Sequence, residues 1–113
     1  MKEIKAIIQP FMLSKVIDAL KQIENLPGVT VSEVKGFGRS RARDAVEKYV
    51  DDSIEYAKKV KLEIVVPDDL TEAVIQIIER RARTGNAGDG KIFVVRMEEV
   101  VRIRTGERGE TAV

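Results

Sequence analysis

The sequence contains no cysteine and no histidine among its 113 residues. The lack of cysteine excludes disulfides, thiolate metal sites and a cysteine nucleophile, and it suits a reducing compartment. The lack of histidine removes the side chain that most often serves as a general base or metal ligand. Both absences weigh against an enzyme and favour a protein that acts by binding.

The sequence also has no large excess of one sign of charge and no long apolar run. Twenty Lys and Arg residues against nineteen Asp and Glu give a net charge of +1, so no overall field attracts nucleic acid or an anionic membrane. No run approaches the length of a membrane span, and no apolar leader opens the chain. We therefore expect a cytoplasmic protein with no nucleic-acid partner and no membrane insertion, in which any anion site is local.

The most unusual stretch of the sequence is residues 84–91, Thr-Gly-Asn-Ala-Gly-Asp-Gly-Lys. Three glycines can turn backbone N–H groups toward one point, and the lysine adds an ammonium, which together suit a phosphate chain. The spacing nearly matches a P-loop, but Ile92 replaces the magnesium-binding Ser or Thr, and the pattern is helix before and strand after. We predict a phosphate cradle without the P-loop fold, and a glycine-rich helix stop is the alternative.

The apolar pattern predicts strands and helices in the order strand, helix, strand, strand, helix, strand. Strands are indicated by alternating apolar residues and helices by apolar stripes at helical spacing. This order is that of an α+β ferredoxin-like βαββαβ sandwich, with residues 1–113 as one domain. The predicted strands cover residues 3–9, 29–34, 60–66 and 92–95.

Further predictions concern the start of the second helix and the C-terminal end of the chain. Asp69 and Glu72 have the spacing of a capping box, so Asp69 is expected to cap the second helix. Residues 100–104 are predicted to form a short edge strand, and residues 105–113 a C-terminal tail whose first part, 105–109, is mobile. The side chains of Arg102 and Arg104 would then lie on the same side of this strand. They would either bind an anion or remain solvated and protect the sheet edge from aggregation.

Two helices can cover only one face of a four-stranded sheet. Ile7, Val65, Phe93 and Val95 are candidates for the uncovered face. Since monomers rarely expose such a patch, we expect self-association through the back of the sheet. Glu63 lies among these apolar neighbours, either at the sheet edge or engaging a partner such as Lys59.

Residues 39–59 interrupt what would otherwise be a hairpin, and connections of this length are usually functional or disordered. The segment is dense in charge, yet its apolar residues recur at helical spacing. This pattern indicates a segment that becomes helical on a partner surface, and a helix packed on its own domain is the alternative. Its carboxylates suit a solvated helix face better than a cation site.

Five blocks of the sequence, in order, resemble the PII signal-transduction (nitrogen regulatory) protein family along nearly the whole chain. They are KAII with PF at 5–8 and 10–11, TVSEVKGFGR at 30–39, KVKLEIVVP at 59–67, TG with GDGKIF at 84–85 and 88–93, and RIRTGE at 102–107. The resemblance implies a homotrimer of ferredoxin-like subunits that binds ATP or ADP in each cleft between neighbours. It also implies a T-loop, residues 38–59, through which a target protein is regulated, such as a transporter or an enzyme in nitrogen or carbon metabolism.

The family's nucleotide site can be transferred residue by residue. The phosphates would lie at Gly88, Asp89, Gly90 and Lys91 of one subunit and Arg102 and Arg104 of its neighbour, with Arg39 near the terminal phosphates. The adenine would lie near Ile7, Glu63 and Val65, with Thr30 from across the interface. The run Gly36, Phe37 and Gly38 completes the predicted nucleotide site.

Two departures from the family pattern concern effectors and modification. Ser40 stands where the family usually has a glutamine that helps hold magnesium between ATP and 2-oxoglutarate, whereas the matching Lys59 is present. Ser40 and Lys59 are therefore candidate effector residues, and binding of magnesium and 2-oxoglutarate is left open. Asp52 stands where many bacterial members have the uridylylated tyrosine, so we expect no modification there.

Two other functions share this topology. A small nucleotide-hydrolysing enzyme would use Arg39 and the glycine-rich loop as an anion clamp, but an obvious paired acid and base is missing. A single-stranded RNA binder of the RRM type would need stacking aromatics on the sheet, which the sequence lacks.

Overall fold

The structure, a computed structural model, describes residues 1–37 and 56–113. The four strands form one antiparallel sheet in the order β2-β3-β1-β4. This is the predicted ferredoxin-like arrangement, with both predicted helices. The elements are β1 (Lys2–Ile8), a 3-10 turn (Pro10–Met12), α1 (Leu13–Leu20), β2 (Thr30–Gly36), β3 (Ala57–Val66), α2 (Asp68–Ala82), β4 (Gly90–Arg96) and a final 3-10 helix (Gly109–Ala112).

The core lies between the two helices and one face of the sheet. Alternate residues of the central strands point into it, and helical stripes from α1 and α2 pack against them. Burying one such side chain contributes about 1.5–3 kcal/mol. The buried set includes Ile4, Ala6 and Ile8 of β1, Leu62, Ile64 and Val66 of β3, Val16 and Leu20 of α1, and Val74 and Ile78 of α2.

The strand register places the remaining alternate residues on the face of the sheet that neither α1 nor α2 covers. Ile7 lies opposite Lys61 on one side and Lys91 on the other. The same register puts Val65, Phe93 and Val95 on this open face, as predicted. Phe93 and Val95 remain 48% and 49% exposed, so an apolar patch is present there.

The predicted capping role of Asp69 is wrong. Helix α2 begins two residues earlier than an Asp69 cap would place it, with Pro67 as its N-cap, and no side chain makes a capping hydrogen bond. Pro67 is extended, with φ −59° and ψ 155°, and this φ is the one that its ring imposes. The Asp68 carboxylate accepts a hydrogen bond from the Met1 amine at 2.9 Å, and this bond, together with Lys2, lowers the pKa of Asp68.

The predicted edge strand at residues 100–104 is also wrong. An isolated bridge joins Val101 to Arg108, and the chain reverses between them. Gly106, at φ 75°, donates its N–H to the Arg102 carbonyl oxygen at 2.7 Å. The glycine therefore turns this segment back on itself, and Arg102 and Arg104 lie in a turn instead of alternating along a strand.

The C-terminal tail, whose first part is predicted to be mobile, folds back onto the domain. Residues 109–112 form a 3-10 helix in which Ala112 is only 8% exposed. The Gly109 amide donates to the Val100 carbonyl oxygen at 2.9 Å. This backbone hydrogen bond and the burial of the Ala112 methyl group hold in place a segment whose composition predicts exposure.

The boundaries of the predicted T-loop change at one end. Strand β3 begins at Ala57, so residues 57–59 of the predicted 38–59 loop are strand. Residues 38–55, with their predicted helical stripe and the position of Asp52, lie outside the described residues. In the part that the structure describes, no helix is both long and apolar enough to cross a membrane.

Gly90 lies where any side chain would collide with the backbone of β1, and this yields a stability prediction. Its φ is 106°, and a Cβ added there would lie 1.7 Å from the carbonyl oxygen of Ile7. We expect Gly90→Ala to lower the free energy of unfolding by about 3 kcal/mol or more, measured by urea denaturation.

The matched control is Gly36→Ala, because Gly36 also lies in a strand and a Cβ there meets nothing within 4 Å. We expect this variant to change the free energy of unfolding by less than about 1 kcal/mol. Equal urea midpoints for the two variants would contradict the close approach of β4 to β1.

Candidate functional site

The connection from α2 to β4 is a tight loop built around the carboxylate of Asp89. Its Oδ2 accepts hydrogen bonds from the backbone N–H groups of Thr84 at 2.8 Å and Gly85 at 2.9 Å. Its Oδ1 accepts a hydrogen bond from the Thr84 hydroxyl. That hydroxyl oxygen in turn accepts one from the Asn86 amide at 3.2 Å. The Asp89 side chain therefore closes the loop on itself.

These hydrogen bonds favour the ionised form of the Asp89 side chain. The Thr84 hydroxyl is the largest cause of the lowered pKa of Asp89, followed by the Thr84 amide, and the nearby charge of Lys59 acts in the same direction. Hydrogen bonds to a carboxylate stabilise its charged form. The closed loop therefore depends on a negative charge at Asp89.

The far end of the loop is held at Gly88 by two other segments. The Lys59 ammonium, near the start of β3, donates a hydrogen bond to the Gly88 carbonyl oxygen. Gly88 has a φ of 93°, and a Cβ there would lie 3.0 Å from Nε2 of Gln9, which follows β1. Glycine fits this left-handed and crowded position without strain.

The loop leaves backbone donors for an anion. Within the described ranges, the amides of Ala87 and Gly88 donate to no other residue. Lys91, the second residue of β4, lies beside Ile7 in the register and therefore on the open face of the sheet. Free N–H groups with an adjacent ammonium are the features that a phosphate group requires.

The predicted adenine residues share the same sheet face. Thr30 lies directly opposite Glu63 in the register, within one protomer. Thr30, Glu63 and Val65 line a cavity of about 380 Å³, whose wall also includes Val100 and Ala112. Thr30, predicted to reach in from across an interface, thus lies beside Glu63 of its own chain.

Glu63 pairs with a different lysine from the one suggested by the sequence. Its Oε1 lies 3.5 Å from Nζ of Lys61, and both side chains are one-third exposed. Residues two apart on a strand share one face, so this pair is local. Lys59 is directed instead to the Gly88 carbonyl oxygen.

The predicted arginines are not joined to the glycine-rich loop within one protomer. Nη1 of Arg102 lies 3.5 Å from Oε1 of Glu107 in the C-terminal turn. Within the described ranges, no hydrogen bond or ion pair connects Arg102 or Arg104 to residues 84–91. Within this protomer Arg102 is thus paired with its own C-terminal turn.

The remaining predicted residues lie where β2 ends. Gly36 is the last residue of the strand, and the ring of Phe37 packs against Tyr56 with the ring centroids 5.8 Å apart. The structure therefore brings the two ends of the 38–55 segment together through an aromatic contact. Gly38, Arg39 and Ser40 lie outside the described residues.

Two residues at the site were missed by the sequence reasoning. Thr84 was part of the predicted loop, but its role in holding Asp89 was not foreseen, although Thr and Asp are typical of side chain to backbone hydrogen bonds in turns. Gln9 gave no such local signal, because its approach to Gly88 depends on how β1 and the loop pack.

The sequence model of the family described as "Nitrogen regulatory protein P-II" matches residues 1–107. The chain belongs to this family. P-II proteins of Bradyrhizobium diazoefficiens and Escherichia coli K12 are 49% and 46% identical to it over 113 residues, which is the full length of each chain. The resemblance found in the sequence is thereby confirmed.

Solved structures agree with this P-II membership. The crystal structure of Arabidopsis thaliana PII bound to citrate is similar with a TM-score of 0.79 and 45% sequence identity, covering 99% of this chain and 91% of that chain. The ferredoxin-like fold and the regulatory family are therefore both established for this P-II chain.

The closed loop makes a prediction about pH. Because the pKa of Asp89 is lowered on folding, its stabilising contribution is present above the unfolded pKa and is lost as pH falls through the folded pKa. We expect the Asp89 carboxyl to titrate below 3.8, its ordinary value, when followed by NMR of the side-chain carboxyl carbon. Amide exchange at Thr84 and Gly85 should accelerate through the same transition.

A peptide covering residues 82–92 provides the control, because it has the same local sequence without the fold. Its Asp89 should titrate at the ordinary value. A folded chain in which Asp89 titrates at or above the peptide value would contradict the closed loop.

Proposed function

We propose that this P-II chain senses adenine nucleotides. It binds ATP or ADP in clefts between the subunits of a homotrimer and regulates a target protein through its T-loop. The observation that carries the proposal is the glycine-rich loop, which in the described residues leaves the amides of Ala87 and Gly88 free and leads into Lys91 on the open sheet face. The protein acts by binding, without turnover of the nucleotide.

The phosphate end of the ligand would be held by the backbone of Gly88 to Gly90 and by the Lys91 ammonium. Charged hydrogen bonds to phosphate are about twice as strong as neutral ones. Gly90 can have no side chain, since a Cβ would collide with the Ile7 carbonyl oxygen. Glycine at this position therefore lets the loop enter β4 directly beside β1.

The base would lie in the cavity beside Thr30, Glu63 and Val65. The Thr30 hydroxyl and the Glu63 carboxylate offer the polar groups that a purine edge can use, and Val65 offers an apolar surface for the ring. A volume of about 380 Å³ falls within the usual range for small-molecule sites, which is about 300–1,000 Å³.

The homotrimer follows from the open sheet face and from the positions of the arginines. Phe93 and Val95 are about half exposed on this face, and burial against neighbouring copies would remove them from water. In the described residues, Arg102 and Arg104 make no hydrogen bond or ion pair with the loop of their own chain. In the trimer they would reach the phosphates bound by the adjacent subunit, and Arg39 would lie near the terminal phosphates.

The second effector would be a small carboxylate. The Arabidopsis relative carries citrate, and in this chain Lys59 is the cation next to Gly88. A carboxylate ligand would compete with the Gly88 carbonyl oxygen for the Lys59 ammonium. Ser40 could contact magnesium only with a geometry different from that of the longer glutamine, so the roles of magnesium and 2-oxoglutarate belong to the tests of this site.

The T-loop would carry the signal to a target in the cytoplasm. A transporter or an enzyme of nitrogen or carbon metabolism fits the regulatory family. Phe37 and Tyr56 meet at the base of the loop, close to Lys59, so both ends of the loop emerge beside the proposed ligand site. The ligand and the target surface are therefore separated by few residues.

Nucleotide binding is tested by thermal unfolding. ATP or ADP at about 100 times its dissociation constant should stabilise the native state by about 2.7 kcal/mol and raise the melting temperature by several degrees. Lys91→Ala and Arg102→Ala should nearly remove this shift, since each loses a cation that faces phosphate.

Lys15→Ala and Arg80→Ala are the matched controls, because Lys15 and Arg80 are exposed cations on the helices. These variants should keep the full nucleotide shift. An unchanged melting temperature of the parent protein at millimolar nucleotide would rule out the proposed function.

The trimer is tested by placing a charge on each side of β4. Val95 faces the open side of the sheet and Val94 the helix side, and they are 49% and 40% exposed. We expect Val95→Lys to dissociate a trimer of 12.6 kDa subunits, whereas Val94→Lys keeps the trimer, as measured by analytical ultracentrifugation. A monomeric parent protein, or dissociation by Val94→Lys alone, would exclude assembly through the open face.

A further inference from the structure

The Asp89 carboxylate accepts three hydrogen bonds within its own loop, out of about four acceptor positions. One carboxylate oxygen accepts from the backbone N–H groups of Thr84 and Gly85, and the other accepts from the Thr84 hydroxyl. A carboxylate in this state has little remaining capacity to contact a ligand. Its backbone still passes between Gly88 and Gly90, where the phosphates are proposed to bind.

A free carboxylate at this position would oppose binding. A phosphate chain is strongly negative, and a second negative charge a few ångströms away repels it. Consecutive N–H groups of Thr84 and Gly85 form a small anion-binding concavity of the kind that phosphates also use. In this chain the carboxylate of Asp89 fills that concavity, so its charge is bound by the N–H groups of its own loop, and the loop is fixed.

We propose that Thr84 and Asp89 form a clamp that shapes the loop for phosphate, with Thr84 as a positioning residue and Asp89 contributing to ligand binding only through its backbone. This inference rests on the proposed function. It changes the role expected for Asp89 from the family resemblance, and it gives a role to Thr84, which the resemblance did not assign to the site.

The clamp works together with the contacts at the other end of the loop. Gly88 is held by the Lys59 ammonium, and Thr84 and Gly85 are held by Asp89. The amides of Ala87 and Gly88 lie between these two fixed points. The ordering of the loop is therefore completed during folding, and a ligand that meets an ordered loop binds more tightly than one that must order it.

The clamp itself is tested without any nucleotide. Thr84→Val keeps the size of the side chain and removes the hydroxyl, whereas Thr84→Ser keeps the hydroxyl. We expect Thr84→Val to raise the pKa of Asp89 toward its ordinary value and to accelerate amide exchange at Gly85 and Asn86, both measured by NMR. Thr84→Ser should leave both quantities close to those of the parent protein. Equal Asp89 titrations in the two variants would overturn the clamp.

The effect on the ligand is tested by titration calorimetry with ADP. Thr84→Val and Asp89→Ala should each weaken ADP binding about tenfold, the change expected when ordering roughly one residue becomes part of binding. Since the Thr84 hydroxyl acts only through the Asp89 carboxylate, the double variant should bind ADP no more weakly than Asp89→Ala alone. Thr84→Ser should bind ADP as the parent does.

The outcomes separate this inference from others. A loss of affinity in Asp89→Ala without a loss in Thr84→Val would mean that the Thr84 hydroxyl is not needed to shape the loop for the ligand, and a hundredfold loss in the double variant would mean that the two residues act independently. Either result would contradict the proposal that Thr84 and Asp89 act together as one clamp. If the parent protein does not bind ADP, the proposed function fails, and the NMR experiments still decide whether Thr84 holds Asp89.

Discussion

The alternation of residues along the central strands is the constraint on which the rest of the structure depends. Once Ile4, Ala6 and Ile8 are buried under the two helices, the residues between them must face the other side of the sheet. A shift of one residue in register would exchange the two sets. The hydrophobic core therefore determines not only the fold but also which side chains are available to a ligand or a second copy.

The open face combines apolar and charged residues in a way that a simple solvated sheet would not. Phe93 and Val95 are apolar and exposed, whereas Lys91, Lys61 and Glu63 are charged and lie in the same layer. An interface that buries only the apolar part leaves the charged part at its rim. Sites of this kind, at the margin of a subunit contact, suit ligands that have one apolar and one anionic end.

Much of this architecture could be predicted from the sequence because it follows from short-range periodicity. Alternation located all four strands, and the uncovered positions of Ile7, Val65, Phe93 and Val95 followed from it. The errors occurred where tertiary or backbone effects decide. Pro67 begins α2 without the predicted Asp69 cap, and the left-handed Gly106 turns residues 100–104 into a reversal. Hydrophobic pattern carries no information about either choice.

The candidate site shows the same difference between features that short-range pattern predicts and features that tertiary packing decides. The glycine-rich loop was recognisable because three glycines and a lysine are rare in eight residues, but its internal bonding was not, since several turn conformations satisfy the same composition. Lys59 and Gln9 approach Gly88 only because β1, β3 and the loop come together in the folded chain. The adjacency of Thr30 and Glu63 similarly requires the register of β2 against β3.

Two positions of the glycine-rich loop differ in whether they can carry a larger side chain. This difference has a practical consequence for spectroscopy. Position 90 accepts no side chain, whereas Asn86 is exposed. Since the chain contains no cysteine, Asn86→Cys would introduce the sole thiol of the molecule. A dye attached there would sit next to the loop without entering the sheet, and its emission would report on events at the loop in real time.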